Sequence, residues 1–469
     1  SRERLVRGTE MARPGRAPRA YYFLLGLTIV MFIFGTVMVS GASTVVASSL
    51  SGDTFYLIKR QLAHGVIGVI ALFLFSSFFY QRYQFFSYFM ILACIGLLSL
   101  TLIPGAGIRA GGAQRWLDLG LITIQPSEIA KLFMVIFAAD ILVKKERHIG
   151  ELKHVLVPII LAAVLVSLLV FLQPNLGAVV VMWISLFAIF FVVGVKVRHL
   201  LAIAGLWSMG VASYIVSADY RLQRILAFLD KTGDISGSGF QLQQSLIALG
   251  SGHLTGLGLG LSRQKFGYLP AAHTDFIFAI VGEELGLVGT AGLVIGFLIF
   301  VYLGIQISLK ARDLFGRLLA VGLTASIASQ ALINIGATTG LAPVTGIPLP
   351  LISFGGSSLV VTMASIGILL NIARKGTTAP LREVSGQRRG QSKTIVAIER
   401  PGARRKKYLS SRRRGSSFKE TGLSSRRTGP SSRKTVYGVN SHEDSHSQRR
   451  NRRASLSSSG SGRRSERKR

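Results

Sequence analysis

The sequence predicts an all-α integral membrane protein with ten transmembrane helices, large extracytoplasmic loops and a disordered basic cytoplasmic tail. Three observations lead to this fold class. Apolar runs of about 20 residues recur along the chain, which is the length a helix needs to cross about 30 Å of hydrocarbon. Lys and Arg are concentrated in alternate connections between these runs. At Arg374 the apolar runs stop, and Arg, Ser and Gly dominate the remaining sequence.

The overall composition agrees with a membrane domain joined to a separate basic segment. Hydrophobic residues make up 49% of the 469 residues, whereas the formal net charge is +33. The mean hydropathy is +0.47. These values conflict for a single globular domain but fit two parts of opposite character. The one cysteine, Cys94, excludes a disulfide bond within the chain.

The apolar runs define the predicted spans and their orientation. In chain order the spans are 21–40, 61–80, 85–103, 127–143, 155–172, 176–194, 199–217, 276–308, 316–336 and 355–373. The fourth span differs from the others because it contains Glu128, Lys131 and Asp140. Basic residues cluster in the connections 81–84, 144–154, 196–198 and 310–317. The positive-inside rule therefore predicts that these connections and both termini lie in the cytoplasm.

This orientation assigns three long loops, 104–126, 218–274 and 337–354, to the outside. Gly, Pro and polar residues are concentrated in all three. Irregular backbone near membrane depth persists only where it lines a wet cavity or is buried in protein. We therefore expect an active-site cleft that faces outward, with a transport pathway as the alternative.

One stretch, 264–286, reads QKFGYLPAAHTDFIFAIVGEELG and contains a carboxylate at the edge of a very hydrophobic segment. A charge placed there is costly unless water or a partner solvates it. Thr274 or Asp275 could cap the N–H groups of the following helix. Alternatively, Asp275 is a catalytic carboxylate whose basicity is tuned by desolvation and by neighbours such as His273. The residues alone leave both interpretations open.

Two further polar groups stand out near the predicted outer face. Glu128 and Lys131 are three residues apart and therefore share one helix face. They form either an ion pair that helps the helices pack or a site where Lys131 meets an anionic ligand. Arg115 in the preceding loop could bind the same anion. Ser357 and Ser358 open the last span, where helix N–H groups and hydroxyls could hold an anion or simply cap the helix.

The tail, 374–469, contains 28 Lys and Arg against 6 Asp and Glu. Its low hydrophobicity and high charge predict disorder. Anionic lipid at the membrane surface and an acidic protein segment are the expected ligands. Nucleic acid is not an expected partner, because no nucleic-acid-binding module accompanies the charge. The predicted organisation is a cytoplasmic segment 1–20, a membrane domain 21–374 and the basic tail 375–469.

Four segments of this sequence resemble signature segments of one protein family, and they occur in the same order. They read GGAQRWLDLGLITIQPSEIAK, FLQPNLG, FQLQQSLIALGSGHLTGLGLGLSRQKFGYLPAAHTDFIFAIVGEELG and GLAPVTGIPLPLISFGGSSL. The family is SEDS, the ten-span bacterial membrane proteins of shape, elongation, division and sporulation. The resemblance spans about residues 21–374 and is closer to the division branch than to the elongation branch. The basic tail resembles those of actinobacterial members, and Ala271 stands where the family commonly has Glu.

The resemblance implies a peptidoglycan glycosyltransferase of the bacterial cell membrane that polymerises lipid II at the division septum. The family's essential Asp corresponds to Asp275, and its Arg, Glu and Lys correspond to Arg115, Glu128 and Lys131. The other substrate-binding candidates in the resembling segments are Gln241, Gln244, Ser245, Lys265, His273, Thr274, Ser357 and Ser358. The implied partners are a class B penicillin-binding protein of the FtsI type, other division proteins and, through the tail, FtsZ.

The implied chemistry needs a single base. An α-linked donor that gives a β-1,4 product reacts with inversion, so no covalent enzyme intermediate is required. Asp275 would accept the proton of the attacking hydroxyl. Arg115 and Lys131 would neutralise the departing pyrophosphate; the sequence requires no cofactor, although Mg²⁺ or Mn²⁺ could share this role. A lipid II flippase and an elongation polymerase are the alternative functions.

Overall fold

The computed structural model describes residues 18–105, 107–110, 113–118, 123–146, 152–229 and 237–376. The predicted basic tail, 375–469, lies outside this part of the chain except for Lys375 and Gly376. Most of the predicted segment 1–20 also lies outside it. The helices are α1 (Arg19–Ser51), α2 (Tyr56–Ser77), α3 (Arg82–Leu102), α4 (Pro126–Lys144), α5 (Leu152–Leu172), α6 (Leu176–Val193), α7 (Val197–Val216), α8 (Asp219–Leu229), α9 (Ser238–Ser251), α10 (Ile277–Leu309), α11 (Leu314–Thr338) and α12 (Gly356–Gly376).

Nine of the described helices are long and apolar enough to cross a membrane: α1, α2, α3, α5, α6, α7, α10, α11 and α12. This confirms the predicted α-helical membrane fold. The fourth predicted span coincides with α4, whose charged residues set it apart from the other nine. Those charges are paired, because Lys131 Nζ lies 2.8 Å from Glu128 Oε1 and Lys144 Nζ lies 2.7 Å from Asp140 Oδ2. Pairing is how ionisable side chains are tolerated inside a membrane, but the count of ten spans stays a prediction.

The helices differ greatly in how deeply they are buried. Most of α12 is buried, and it runs parallel to α2 in close contact. Small residues allow this approach: a Cβ on Gly68 would lie 2.7 Å from Met363 Sδ, and one on Gly367 would lie 2.4 Å from the Leu72 carbonyl oxygen. In contrast, α7 has no buried residue. Within the described residues it contacts mainly α6 and α8, and its Tyr214 also stacks on Phe171 of α5. The periphery of the bundle is therefore open beside α7.

The predicted loop 104–126 contains a small antiparallel sheet that the sequence analysis missed. Its strands are β1 (Gly107–Ala110), β2 (Ala113–Asp118) and β3 (Thr123–Ile124), in the order β1-β2-β3. Ile108 pairs with Trp116 and Arg109 pairs with Gln114, so the ladder skips Arg115. Such a β-bulge bends the strand and redirects the side chain of the extra residue. The bulge thus sets the direction of a candidate site residue.

The predicted span 276–308 corresponds to α10, but α10 is not one continuous helix. Gly286 has φ 65° and ψ −155°, which interrupts the helical backbone. The N–H groups released after the break donate to the carbonyls of the preceding loop: Leu287 donates to His253 at 2.9 Å and Val288 to Leu254 at 3.2 Å. The break is possible near membrane depth because protein replaces the lost helical hydrogen bonds.

The same loop also binds the helix segment before the break. Leu257 N–H donates to the Glu283 carbonyl at 2.9 Å, and the Glu283 carboxylate accepts from Arg263 N–H at 2.8 Å and from the Ser262 hydroxyl. Glu283 is 1% exposed. A buried carboxylate is stable here because loop donors satisfy it. These hydrogen bonds therefore hold the loop before α10 against the first turns of that helix.

We predict that Gly286→Ala destabilises the protein by about 1–3 kcal/mol, because an L-residue is strained at this φ. The added Cβ would also lie 2.5 Å from Gly256 N. Gly292→Ala is the matched control on the same helix, since a Cβ there has no heavy atom within 4 Å. Alanine at that helical position should be neutral or stabilising. Thermal unfolding in detergent compares the two variants, and equal melting temperatures would show that the break is not required.

Candidate active site

A tight turn before α10 positions the candidate catalytic carboxylate. The Ala271 carbonyl accepts hydrogen bonds from Thr274 N–H and Asp275 N–H, both at 3.1 Å, and from Phe276 N–H at 3.4 Å. The helix then begins at Ile277, and its N-cap residue Phe276 makes no side-chain capping bond. The interpretation of Thr274 or Asp275 as a helix cap is therefore wrong, because the helix starts after both of them. The Asp275 carboxylate is left available for another role.

The surroundings of Asp275 give its carboxylate an unusual basicity. The residue is half-buried. Burial raises the pKa of Asp275 to about 6, while the charges of Arg115 and Arg224 oppose this rise. A Cβ on Gly346 would lie 3.7 Å from Asp275 Oδ2, so loop backbone packs beside the carboxylate. A pKa near the working pH is what general-base catalysis requires.

Arg115 is held firmly as one of the two cations. Its Nε donates to the Gln173 carbonyl at 2.8 Å and its Nη2 donates to the Pro174 carbonyl at 2.7 Å. Both acceptors follow the end of α5. Burial, with the nearby charge of Arg224, lowers the pKa of Arg115. A guanidinium nevertheless stays charged in a protein, so Arg115 presents a permanent positive charge close to Asp275.

The second cation, Arg224 on α8, was missed by the sequence analysis. It lines a cavity of about 50 Å³ together with Tyr220, Thr345 and Arg221. Arg221 stacks 3.7 Å above the ring of Tyr214. The signal was present in the sequence, because DYRLQRI places two arginines three residues apart on one face of a helix. The cavity offers an anionic ligand two guanidinium groups.

A much larger groove opens from the same place. It has a volume of about 1030 Å³ and lies between α5 and α7, with mainly apolar side chains such as Leu168 and Leu206 along its walls. Tyr214 and Arg221 line both this groove and the small cationic cavity. An apolar groove that ends at a cationic cavity suits an amphipathic ligand with a long apolar chain and an anionic head group.

Glu128 and Lys131 form a buried ion pair in the first turns of α4. Their side chains are each 5% exposed. Lys131 Nζ also donates to Gln330 Oε1, and Gln330 Nε2 donates to the Pro348 carbonyl at 2.9 Å and to the Ser358 hydroxyl at 3.3 Å. The pair is thus bound into a network that supports the loop between α11 and α12. A direct role of Lys131 toward a ligand stays a prediction.

The comparisons with known proteins agree with this architecture. Residues 21–378 match the cell cycle protein family of FtsW, RodA and SpoVE. The chain belongs to this family. The SEDS resemblance is therefore confirmed.

Similar proteins include stage V sporulation protein E of Bacillus subtilis (strain 168), which is 42% identical over 75% of this chain and 96% of the relative. The probable peptidoglycan glycosyltransferase FtsW of Nitrosococcus halophilus (strain Nc4) is 39% identical over 78% of this chain and 95% of the relative. Among solved structures, a chain of a peptidoglycan synthase complex that coordinates polymerization and crosslinking aligns with a TM-score of 0.63 and 28% identity, over 76% of this chain and 98% of its own. The rod shape determining protein RodA of Thermus thermophilus aligns over the same shares with a TM-score of 0.56 and 27% identity.

Two of the predicted substrate-binding residues of this family member make contacts within the scaffold. Ser245, on α9, is fully buried and donates to the Thr338 carbonyl at 2.8 Å. Lys265 is 8% exposed and its Nζ donates to the Gly260 carbonyl. The structure does not bring these two side chains into hydrogen-bond contact with Asp275. Their roles as ligand-binding residues stay predictions.

The other predicted residues lie in the turn before α10 or on α9 and α12. His273 is half-buried, its ring packs 5.8 Å from that of Phe354, and burial lowers the pKa of His273. Thr274 donates its hydroxyl to the Ala271 carbonyl at 3.2 Å. The remaining candidates are half-buried Gln241 and Gln244 on α9 and buried Ser357 and Ser358 on α12. No three His, Cys, Asp or Glu side chains form a possible metal cluster within the described ranges. A contribution from Mg²⁺ or Mn²⁺ stays a prediction.

We predict that Glu128→Gln and Lys131→Met each destabilise the protein by about 3–5 kcal/mol, because each leaves a buried charge without its partner. The exposed pair Asp53–Lys59 is the control, since its side chains are 41% and 70% exposed. Asp53→Asn should leave the melting temperature close to that of the wild type, because exposed ion pairs contribute little to stability. Thermal unfolding of the purified variants measures the difference. If Lys131→Met retains wild-type stability but loses activity, Lys131 acts on a ligand instead.

Proposed function

We propose that this protein is a peptidoglycan glycosyltransferase that polymerises lipid II into β-1,4 glycan strands during cell division. The observation that carries the proposal is the apolar groove that ends at Arg221, next to a small cavity that Arg224 also lines. The half-buried Asp275 lies close enough to Arg224 for that charge to lower its pKa. Lipid II combines a long apolar chain, a diphosphate and a sugar acceptor. The groove would hold the chain, the arginines the diphosphate, and Asp275 would face the sugar acceptor. The relative in Nitrosococcus halophilus is named a probable peptidoglycan glycosyltransferase, which supports the same activity.

Asp275 serves as the general base. Its carboxylate removes the proton from the 4-hydroxyl of the acceptor GlcNAc as the hydroxyl oxygen attacks C1 of the donor sugar. The bond from C1 to the phosphate oxygen breaks, and the lipid diphosphate leaves with the bonding electron pair. Inversion at C1 converts the α-linked donor into a β product in a single displacement.

Arg115 and Arg224 neutralise the charge that develops on the leaving diphosphate. Preorganised cations in a partly desolvated site are effective because they need little reorganisation during the reaction. Arg224 takes the role that the sequence analysis assigned to Lys131, because Lys131 is already bound to Glu128 and Gln330. Addition of EDTA to the assay tests whether Mg²⁺ or Mn²⁺ contributes as well.

We predict that Asp275→Asn lowers the rate of lipid II polymerisation by about 10²–10⁴, because it removes the base. The assay uses the purified full chain with its transpeptidase partner in detergent, where flipping between leaflets is impossible. Asp53→Asn, at an exposed turn, is the control and should polymerise normally. Normal chain growth by Asp275→Asn would refute the assignment, and inactivity of the wild-type protein in detergent would favour a flippase.

We also predict that Gly210→Trp raises the KM for lipid II by about tenfold, because the new side chain occupies the groove where the lipid chain binds. Gly210 lines the groove, and a Cβ there meets no heavy atom within 4 Å, so the variant should fold. Gly205→Trp is the matched control on α7, because Gly205 is equally unhindered but does not line the groove. Equal KM values for the two variants would place the lipid chain elsewhere.

The proposed setting is the bacterial cell membrane at the division septum, with both termini in the cytoplasm. A class B penicillin-binding protein is the proposed partner, and the similarity to a chain of a peptidoglycan synthase complex supports it.

The basic tail is proposed to bind the acidic tail of FtsZ or anionic lipid. Deletion after Lys375 should leave polymerisation unchanged in vitro but weaken recruitment to the septum, which fluorescence microscopy of the tagged variant measures.

A further inference from the structure

A single buried side chain of α11 ties the Asp275 turn to the loop that follows that helix. Asn334 is 2% exposed. Its Nδ2 donates to the Asp275 carbonyl at 2.8 Å and to the Ile347 carbonyl at 2.7 Å. Carbonyl oxygens can only accept hydrogen bonds, so the amide nitrogen must face both of them. One side chain therefore sets the distance between two segments that are 72 residues apart in the sequence.

The second segment also borders the carboxylate. Gly346, next to Ile347, packs beside Asp275 Oδ2. A further tie comes from Phe354 N–H, which donates to the His273 carbonyl at 2.9 Å. The turn and the loop are thus joined on both sides of Asp275. A change in the Asn334 bonds would move the carboxylate relative to the loop backbone and to the two arginines.

We infer that Asn334 is a positioning residue that holds Asp275 in its reactive orientation, an inference that rests on the proposed function. Asn334 acts through the backbone of Asp275 and contacts neither sugar. Displacement of a catalytic group by about 1 Å can cost two orders of magnitude in rate. The loss should therefore appear in kcat, whereas KM for lipid II, which the groove and the arginines determine, should change little.

Thr338 provides a matched control one turn later on α11. It is fully buried, and its hydroxyl donates to two carbonyls of its own helix, Asn334 at 3.1 Å and Ile335 at 2.9 Å. Thr338→Val removes a buried hydroxyl without touching the Asp275 turn. The activity of Thr338→Val therefore shows how much a loss of stability in α11 alone lowers activity, because the geometry of the Asp275 turn is kept.

The test measures kcat, KM and melting temperature for Asn334→Ala, Asn334→Asp and Thr338→Val, using the full chain with its partner and lipid II. Asn334→Ala should lower kcat by about 10- to 100-fold with KM within about threefold. Thr338→Val should keep kcat within about twofold at a similar loss of melting temperature. A parallel loss of kcat in both variants would show that Asn334 contributes stability alone.

Asn334→Asp has nearly the same shape as the original side chain and keeps the test valid if the alanine variant does not fold. The charged groups that face Asp275 are Arg115 and Arg224, with His273 in the same turn. A new carboxylate on α11 would raise the pKa of Asp275 and move the acidic limb of the kcat/KM profile to higher pH. An unchanged limb with normal kcat would overturn the inference.

Failure of this inference can be told apart from failure of the proposed function. If Asp275→Asn is inactive while the Asn334 variants behave as wild type, only the positioning role is lost. If Asp275→Asn remains active, the general-base assignment fails first, and Asn334 has no base to position.

Discussion

The electrostatic balance at Asp275 is the interaction on which the rest of the site depends. A carboxylate at the edge of hydrocarbon loses water and becomes more basic, whereas nearby cations make it more acidic. Here burial raises the pKa of Asp275 to about 6, and the two arginines limit the rise. The result is a group that is mostly ionised at neutral pH yet basic enough to accept a proton.

Three separate parts of the fold are needed to produce that balance. A β-bulge in the sheet before α4 directs Arg115, and the carbonyls after α5 hold its guanidinium. The amphipathic helix α8 supplies Arg224 beside the mouth of the apolar groove. The amide of Asn334 secures the turn itself. The first two parts are short or irregular structure, whereas Asn334 belongs to the long helix α11.

The sequence predicted the membrane helices well because hydrophobic length is a direct physical requirement of the bilayer. The sequence also identified Arg115, Glu128, Lys131 and Asp275 as unusual polar residues near the predicted outer face. Hydropathy could not reveal the break at Gly286, because an apolar segment that contains a glycine has the same hydropathy whether its helix is straight or broken. The carbonyls of His253 and Leu254 accept the hydrogen bonds that permit the break, and these residues are distant from Gly286 in the sequence.

The sequence also could not show which cations are free to bind a ligand, because that depends on how each side chain is buried. Lys131 and Arg224 are both cations next to apolar sequence, but only the three-dimensional packing shows that Lys131 is enclosed with Glu128 and Gln330. Arg224 instead lines a cavity near Asp275. The choice between them as diphosphate-binding residues depends on which helix neighbours surround each one, and spacing along the chain carries no such information.

The pH dependence of kcat/KM for lipid II polymerisation tests the electrostatic balance most directly. In the wild-type protein the acidic limb should fall near pH 6, because protonation of Asp275 removes the base as the pH drops through its pKa. Arg224→Gln removes a charge that lowers this pKa, so its limb should move to higher pH. Arg221→Gln is the control, since Arg221 lines the same cavity but is not among the charges that shift the pKa of Asp275. A wild-type limb near pH 4, or a limb that Arg224→Gln leaves in place, would contradict the assignment of Asp275 as a base tuned by burial and arginine.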